Sequence, residues 1–362
     1  MQIYINNAKA RLQGRPFTLA TVVPVDSAAT SAEEMLRGVA NAQTKFNDGG
    51  GLGDRLLEVV IANDGNDKII SGGVARKLAN NPAILGVVGH NASSASQGAL
   101  AEYEKAGLAM VSPTSTSTTL SGRVFFRTVP SDAVSGTKLA EYAKNQLGKK
   151  RVAVFYNPNS SYSSSLKEAF VGRFQPLGGN AQIIDMNDAD LNVEQEVRKL
   201  QDKDADAIVL FPNTSLISVS VAIARANRQQ MLMLGGDALY RPQTLTSGGN
   251  AVEGLILAVP WFAQTTYAQK AEQRWGGQVS WRTATSYDAT RALIQSFSEN
   301  ASRKTVLDNL QYTYLPGRET SGSELQFQPT GDRVGEPILV KVRRGRGGPV
   351  GSQFSFQPIS PW

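Results

Sequence analysis

The sequence predicts an α/β protein made of two doubly wound, parallel-sheet lobes. Three observations carry that expectation. A chain of 362 residues is about two domains long at roughly 150 residues each. From residue 16 onward, short β-branched runs alternate with longer amphipathic ones. The short runs are continuously apolar rather than alternating, as strands covered on both faces are. Such alternation builds βαβ units and a parallel sheet.

In the first half, residues 18–25 read as a strand, and Ser31-Ala-Glu-Glu34 as a capping box opening a helix to about Phe46. Residues 57–62, 84–89 and 109–112 read as further strands, with helices at 68–79 and 94–106 between them. A second series follows, with strands at 152–156, 181–184, 207–211 and 231–234 and helices at 162–174, 193–201 and 215–227. Three extended segments, 125–130, 257–261 and 325–328, are candidate crossings between the lobes. The chain then returns to helix, clearest at 283–298, and ends in strand-like runs at 337–343 and 353–357.

Composition removes whole classes of chemistry. Hydrophobic residues at 41% and charged residues at 19% exclude wholesale disorder. No apolar run reaches the 18 or so residues of a membrane span. No secretory signal is visible in residues 1–15, a trait a mature chain shares. With no Cys and one His, zinc fingers, thiol nucleophiles and Cys-ligated haem or Fe–S centres are out, so no metal or cofactor is expected. Zero Cys suits an exported protein. The net charge of +6 is spread along the chain.

Motifs that imitate enzymes fail on their partners. His90 lies in Val-Val-Gly-His-Asn-Ala-Ser-Ser without a G-x-S-x-G elbow, and reads as a strand-end His packed on a loop. Ser164-Ser-Leu-Lys167 matches S-x-x-K but lacks S-D-N and K-T-G. Asp188-Ala-Asp190-Leu-Asn192 opens like a calcium loop, yet Val193 stands at position six and Lys199 at position twelve. Gly49–Gly53 follows a helix rather than a strand, so it is a helix terminus and turn. Arg343-Arg-Gly-Arg346-Gly-Gly348 has no aromatic interleaving and reads as a solvated connection, so no nucleic-acid partner is expected.

One constellation remains. Gly89–Ser94 joins a buried strand to a helix, which places Asn91, Ser93 and the following N–H groups at the carboxyl end of the sheet, where open α/β sheets bind ligands. The next strand ends Ser112-Pro-Thr114-Ser115-Thr116, again rich in hydroxyls. In the second lobe, residues 231–234 run into Gly235-Gly236-Asp237, a carboxylate at the equivalent mouth. Neutral donors from one lobe and an acid from the other fit a zwitterion. On pattern alone Ser93 and Thr116 also read as helix caps, Asp237 as the cap of a turn over 238–241, and Tyr162 as packing.

The segments Val87–Ser94 and Gly107–Pro113, with Phe126-Arg127-Thr128 and Tyr287-Asp288-Ala289, resemble the type I periplasmic solute-binding proteins for leucine, isoleucine and valine, and the wider amino-acid and amide receptors of ABC importers. The resemblance runs from Pro16 to about Gln357. It implies the periplasmic-binding-protein type I fold, with three crossovers joining lobe 1 (1–128 plus 261–327) to lobe 2 (129–260 plus 328–362). It also implies an extracytoplasmic receptor that is not an enzyme. Its ligand would be a free amino acid such as Ala, Val, Leu, Ile or Met, and its partners the permease subunits of an ABC importer. Sensing in a signalling receptor and binding of an amide or urea-type solute are the alternatives. By the resemblance, Ser93 and Thr116 hold the ligand carboxylate, with backbone groups at Thr114, and Asn91 and Ser115 fall in the same two loops. Asp237 takes the ammonium, Tyr162 closes over the main-chain end, and Asn213 falls where relatives place a Tyr. Arg282 aligns with an aromatic wall position, and the loop Ser27-Ala-Ala-Thr30 lacks the family's common Gly-Pro. Small or polar residues at these wall positions imply a roomier, more polar pocket.

Overall fold

The computed structural model describes residues 1–345 and 347–359. The chain divides into two compact units, Met1–Ser131 with Ala263–Gly335, and Asp132–Phe262 with the chain from Glu336 onward.

The first unit holds five parallel strands: β1 (Phe17–Val23), β2 (Leu57–Asn63), β3 (Ile84–Val88), β4 (Ala109–Ser112) and β5 (Phe125–Arg127). Their order is β2-β1-β3-β4-β5. The connecting helices are α2 (Ala29–Asp48), α3 (Lys68–Ala79) and α4 (Ser93–Ala106). Side chains on both faces of β1 and β3 are buried, which is why those runs are apolar throughout. The capping box expected at Ser31–Glu34 is not formed. α2 begins earlier, with Ala28 as its N-cap, and Ser31 is buried inside the helix while Glu34 turns to Arg282.

A helix that the sequence pattern did not announce, α1 (Gln2–Gln13), packs on α2 and the outer edge of β2. Its buried face is Ile3, Asn6, Asn7 and Ala10, half of it carboxamides, so it carries no apolar stripe to read. The carboxamides have a structural task. Asn7 Nδ2 donates to Val59 O at 2.9 Å and its Oδ1 accepts from Val59 N at 2.9 Å. Asn47 makes the same pair of bonds with Leu57 O (3.0 Å) and Leu57 N (2.7 Å). Two side-chain amides thus satisfy the backbone of an edge strand that would otherwise expose an unpaired row.

The second unit repeats the topology. Strands β6 (Arg151–Tyr156), β7 (Asn180–Asp185), β8 (Ala207–Phe211), β9 (Leu232–Gly235) and β10 (Ile256–Val259) run in the parallel order β7-β6-β8-β9-β10. Their helices are α5 (Asp132–Glu141), α6 (Ser161–Phe174), α7 (Val193–Asp202), α8 (Ile217–Asn227) and α9 (Pro242–Gly248). Successive residues feed opposite cores. Phe155 and Leu210 join Met233 and Leu257 on one face, and Val154 and Val209 join Phe170 and Phe211 on the other.

The chain returns to the first unit through α10 (Thr266–Trp275), α11 (Trp281–Gln295) and α12 (Arg303–Leu310). Segment 325–328 is not a crossing. β11 (Tyr314–Leu315) pairs with β12 (Leu325–Gln326) inside the first unit, and the change of unit falls after Gly335. Buried charge holds that return in place. Arg333 Nη1 lies 2.9 Å from Asp288 Oδ2, whose carboxylate also takes the Ser321 N–H at 2.6 Å, and Arg127 pairs with Asp332 at 2.5 Å. β13 (Ile338–Arg344) and β14 (Phe354–Pro358) then extend the second sheet in antiparallel fashion. Of the Arg-Gly segment linking them, Arg346 lies outside the described residues, and Arg344 bonds Gln353 and Asn250.

α11 seats against α2 at Gly38, where a Cβ would stand 2.2 Å from Thr283 O and 2.8 Å from Tyr287 N. Both obstacles are backbone, so neither can swing aside. Gly38→Ala is therefore expected to lower the stability of the first unit by about 3 kcal/mol or more, read as a fall in denaturation midpoint. An unchanged midpoint would show that the helix pair accommodates the methyl group.

Candidate functional site

In both sheets the strand order reverses direction once, between β1 and β3 and between β6 and β8. The connections leave such a point in opposite directions, so the carboxyl ends of the strands there open into a crevice. The loops at these edges carry the residues singled out from the sequence.

In the first unit the loop after β3 is tightly specified. Gly89 has φ +144°, and a Cβ there would lie 2.7 Å from Val22 O. The His90 ring is fully buried, with Nδ1 2.6 Å from Asp64 Oδ2 and Nε2 3.1 Å from the Tyr103 hydroxyl. Burial pushes the Asp64 carboxyl upward. The hydrogen bonds of His90, the Asn66 N–H and the Ser71 hydroxyl outweigh it and hold the group below its ordinary value. An ionised Asp64 only accepts, so His90 Nδ1 donates to it. Burial raises the Tyr103 phenol far above its usual range, so that hydroxyl keeps its proton and donates to Nε2. Both ring nitrogens are thereby committed, and the His pairs with no serine.

The backbone of His90 ties two loops together. Its carbonyl oxygen accepts from the hydroxyls of Thr114 (3.1 Å), Ser112 (3.2 Å) and Ser115 (3.4 Å), and Thr114 Oγ1 also reaches Asn91 O at 2.8 Å. From the other side the Arg127 guanidinium donates to the carbonyls of Ser117 (2.9 Å) and Leu120 (3.1 Å). The loop after β4 is thus held at both ends.

Within this frame the expected residues take different parts. Ser93 is the first residue of α4, and Ala92 is its N-cap with no side-chain cap bond, so Ser93 is not a cap. Its Oγ accepts from Ser117 N at 3.3 Å. Thr116 lies outside any helix, and its buried hydroxyl has no hydrogen-bond partner. Asn91 Nδ2 donates to Asn66 Oδ1 at 3.1 Å. Ser115 departs from the expectation, because its hydroxyl is fully buried between Ser96 Oγ (2.8 Å) and the His90 carbonyl and serves to join α4 to the loop. Arg282 is buried at the start of α11, 3.4 Å from Glu34, with its guanidinium 4.4 Å over the Trp281 ring.

In the second unit Ser160 caps α6 and sets Tyr162 in its first turn. The Tyr162 hydroxyl donates to Asp237 Oδ1 at 2.8 Å and accepts from Ala238 N at 3.3 Å. Burial, then the charges of Asp237 and Asp132, push that phenol well above its usual value, so it stays protonated and is the donor in its bond to Asp237. The short turn Asp237–Leu239 has Gly236 as its N-cap, so Asp237 does not cap it. Across the switch point Asn157 Nδ2 donates to Asn213 Oδ1 at 3.2 Å, and Ser215 Oγ adds a bond at 3.0 Å.

A family model described as periplasmic binding protein matches residues 16–324. The chain belongs to the type I periplasmic binding proteins of the branched-chain amino-acid group. The leucine-specific-binding protein of Salmonella typhimurium is 25% identical over 313 residues, 82% of each chain. The Leu/Ile/Val-binding protein of Escherichia coli is 23% identical over 64% of each. Among solved structures, the leucine-binding protein LivK of Thermotoga maritima superposes with a TM-score of 0.81 at 22% identity, covering 95% of this chain and 99% of its own.

As a periplasmic binding protein the chain is a solute-binding receptor of the branched-chain amino-acid ABC-transporter type, a family that carries no catalytic activity. No helix among the described residues is long and apolar enough to cross a membrane. Sequence reasoning missed Asp64, Tyr103, Asn157, Glu34 and Trp281, together with the role of Arg127. A signal existed for the first: Asp64 closes an apolar strand in a chain with a single His to satisfy. The others are set by contacts distant in sequence.

Asp64 makes the frame sensitive to acid. Its folded-state value lies below the unfolded one, near 3.8, so its stabilisation is full above that value and is lost as pH falls through the folded value. The melting temperature of the protein should therefore fall below about pH 4. Asp64→Asn should melt lower at pH 7 and show a flatter pH dependence in that acid range. Parallel profiles for the two proteins would show that this carboxylate is not the one lost.

Proposed function

We propose that this receptor captures a neutral α-amino acid outside the cytoplasm and delivers it to the permease subunits of an ABC importer. The hydroxyls of Ser93 and Thr116, the backbone at Thr114 and the uncapped first turn of α4 would take the carboxylate. Asp237 would take the ammonium. The observation that carries the reading is this division of labour: neutral donors stand at the carboxyl edge of one sheet, and an anchored carboxylate at that of the other. The buried, unpartnered Thr116 hydroxyl supports it, because such a group is costly until an acceptor arrives.

Tyr162 has a second task in this reading. Its bond fixes the Asp237 carboxylate, so Tyr162 positions the acid that would meet the ammonium. Asn91 and Asn213 are polar neighbours rather than charged anchors. Each charge-assisted bond contributes on the order of 1.5–3 kcal/mol net. Several such bonds from backbone and hydroxyls engage the main chain alone, so Ala, Val, Leu, Ile, Met and their like would all fit the two anchors, and preference among neutral side chains is left to the walls.

A second reading has its own support. A solute-binding protein of Rhodopseudomonas palustris, of TM-score 0.80 and 15% identity over 95% of this chain and 96% of its own, was solved in complex with 3,4-dihydroxybenzoic acid. A ligand of that kind needs a carboxylate seat and no acid for an ammonium. Asp237 favours the amino acid. Whether the captured ligand is transported or sensed is decided by the neighbouring gene, a permease or a kinase.

Calorimetric titration of ligand-stripped protein tests the reading. The panel is Ala, Val, Leu, Met, Pro, Glu, Arg, urea and benzoate, with the deaminated analogue of the best ligand. One or more neutral amino acids should bind, and the deaminated analogue should lose most of the affinity. Asp237→Ala should weaken the amino acid by about 10- to 100-fold and leave the analogue nearly unaffected. Equal losses for both ligands would remove the ammonium role of Asp237. Benzoate or urea as the sole binder would overturn the amino-acid assignment.

A further inference from the structure

Two buried donors in the first unit have no acceptor, and they sit on consecutive residues. Trp281 and Arg282 open α11 and are 2% and 5% exposed. Trp281 Nε1 and Arg282 Nε are both buried without a hydrogen-bond partner. The guanidinium lies 4.4 Å over the indole ring, so the two groups form one cluster, faced by Glu34 at 3.4 Å from Arg282 Nη1.

The course of α11 gives the cluster its place. Beyond its last turn, Phe297 stacks on Phe17, the first residue of β1, at 4.7 Å, so α11 ends at the amino edge of the sheet. Near its start, Thr285 O accepts from the hydroxyl of Thr128, just past β5, at 2.9 Å, and Glu34 belongs to the opening turns of α2. Trp281 and Arg282 therefore lie at the carboxyl edge, the one that carries Ser93 and Thr116.

We propose that Trp281, Arg282 and Glu34 form a side-chain subsite for a carboxamide, so that the preferred ligands of this receptor are glutamine or asparagine; this rests on the amino-acid reading above. A carboxamide carbonyl has two lone pairs for the two N–H donors, and its NH2 group donates to the Glu34 carboxylate. An aliphatic side chain would leave both donors desolvated and unpaired. A carboxylate would bring a second negative charge to a guanidinium that already faces Glu34.

The test is titration of the stripped full-length protein with glutamine, asparagine, leucine and glutamate, for the wild type, Trp281→Phe, Arg282→Met and Glu34→Gln. Melting curves establish that each variant is folded. Glutamine or asparagine should bind at least about tenfold tighter than leucine. Trp281→Phe and Arg282→Met should each cost the carboxamide ligand about five- to fiftyfold while changing leucine by less than about threefold. Glu34→Gln should raise glutamate relative to glutamine, which keeps the test open if either of the other variants misfolds. If leucine binds the wild type as tightly as glutamine, or the variants weaken both alike, the subsite is overturned and the amino-acid reading stands. If no amino acid binds, both fall.

Discussion

The loops at the carboxyl edge of the first unit's sheet depend on a single carbonyl. His90 O gathers the hydroxyls of Ser112, Thr114 and Ser115, and through them the loop after β4 is fixed to the loop after β3. A carbonyl can act as such a hub only if its own residue is immobile. The buried ring supplies that, held between an ionised Asp64 and a protonated Tyr103. The acid comes from the end of β2 and the phenol from α4, so the ring ties together three segments of the unit. The lone His of the chain is thus a structural pin, and its position at the carboxyl edge of the sheet follows from that task.

The same arrangement separates hydroxyls committed within the unit from the one that has no partner there. Ser96, Ser112, Thr114 and Ser115 each spend a hydroxyl on a neighbour within the unit. Thr116, in the same run, spends none. A row of small hydroxyl residues does not offer a uniform surface. Its inner members set the curvature of the loop, and Arg127, reaching the carbonyls of Ser117 and Leu120, holds the loop in that curve from below. A guanidinium suits this work because its planar fork reaches separate carbonyls while its Nε pairs with Asp332.

What the sequence could reveal follows from how each feature is encoded. Strands such as Ala109–Ser112 and Ala207–Phe211 and the helix Lys68–Ala79 coincide with their expected limits, because continuous burial leaves a continuous apolar run and Asp67 caps the helix. α1 left no such trace, since it buries carboxamides against an edge strand instead of an apolar stripe against a core. The Ser31–Glu34 pattern misled for a related reason: Glu34 is drawn to Arg282, 248 residues away, and an N-cap at Ala28 lets the helix start early. Likewise the chain's third change of unit was placed too early, because the short β11–β12 pair is extended without being a crossing. In the site, positions set by loop chemistry could be found and partners set by tertiary contact could not. Asp237 was legible as an acid at a strand end, whereas the phenol that anchors it approaches from 75 residues away.

The two edges present different polar groups, and that bears on the proposed ligand. At the edge of the first unit the nearest charges are internally compensated, Asp64 by hydrogen bonds from His90 and Arg282 by Glu34. What remains for a ligand there is a set of neutral dipoles, hydroxyls and helix N–H groups, which favour an anion without demanding one. At the edge of the second unit the Tyr162 hydroxyl donates to Asp237 and orients its carboxylate. In the amino-acid reading proposed above, the first edge would meet an acceptor and the second a cation. The main chain of a free α-amino acid would supply both whatever its side chain, which in that reading would leave discrimination to residues such as Trp281 and Arg282 that belong to neither anchor.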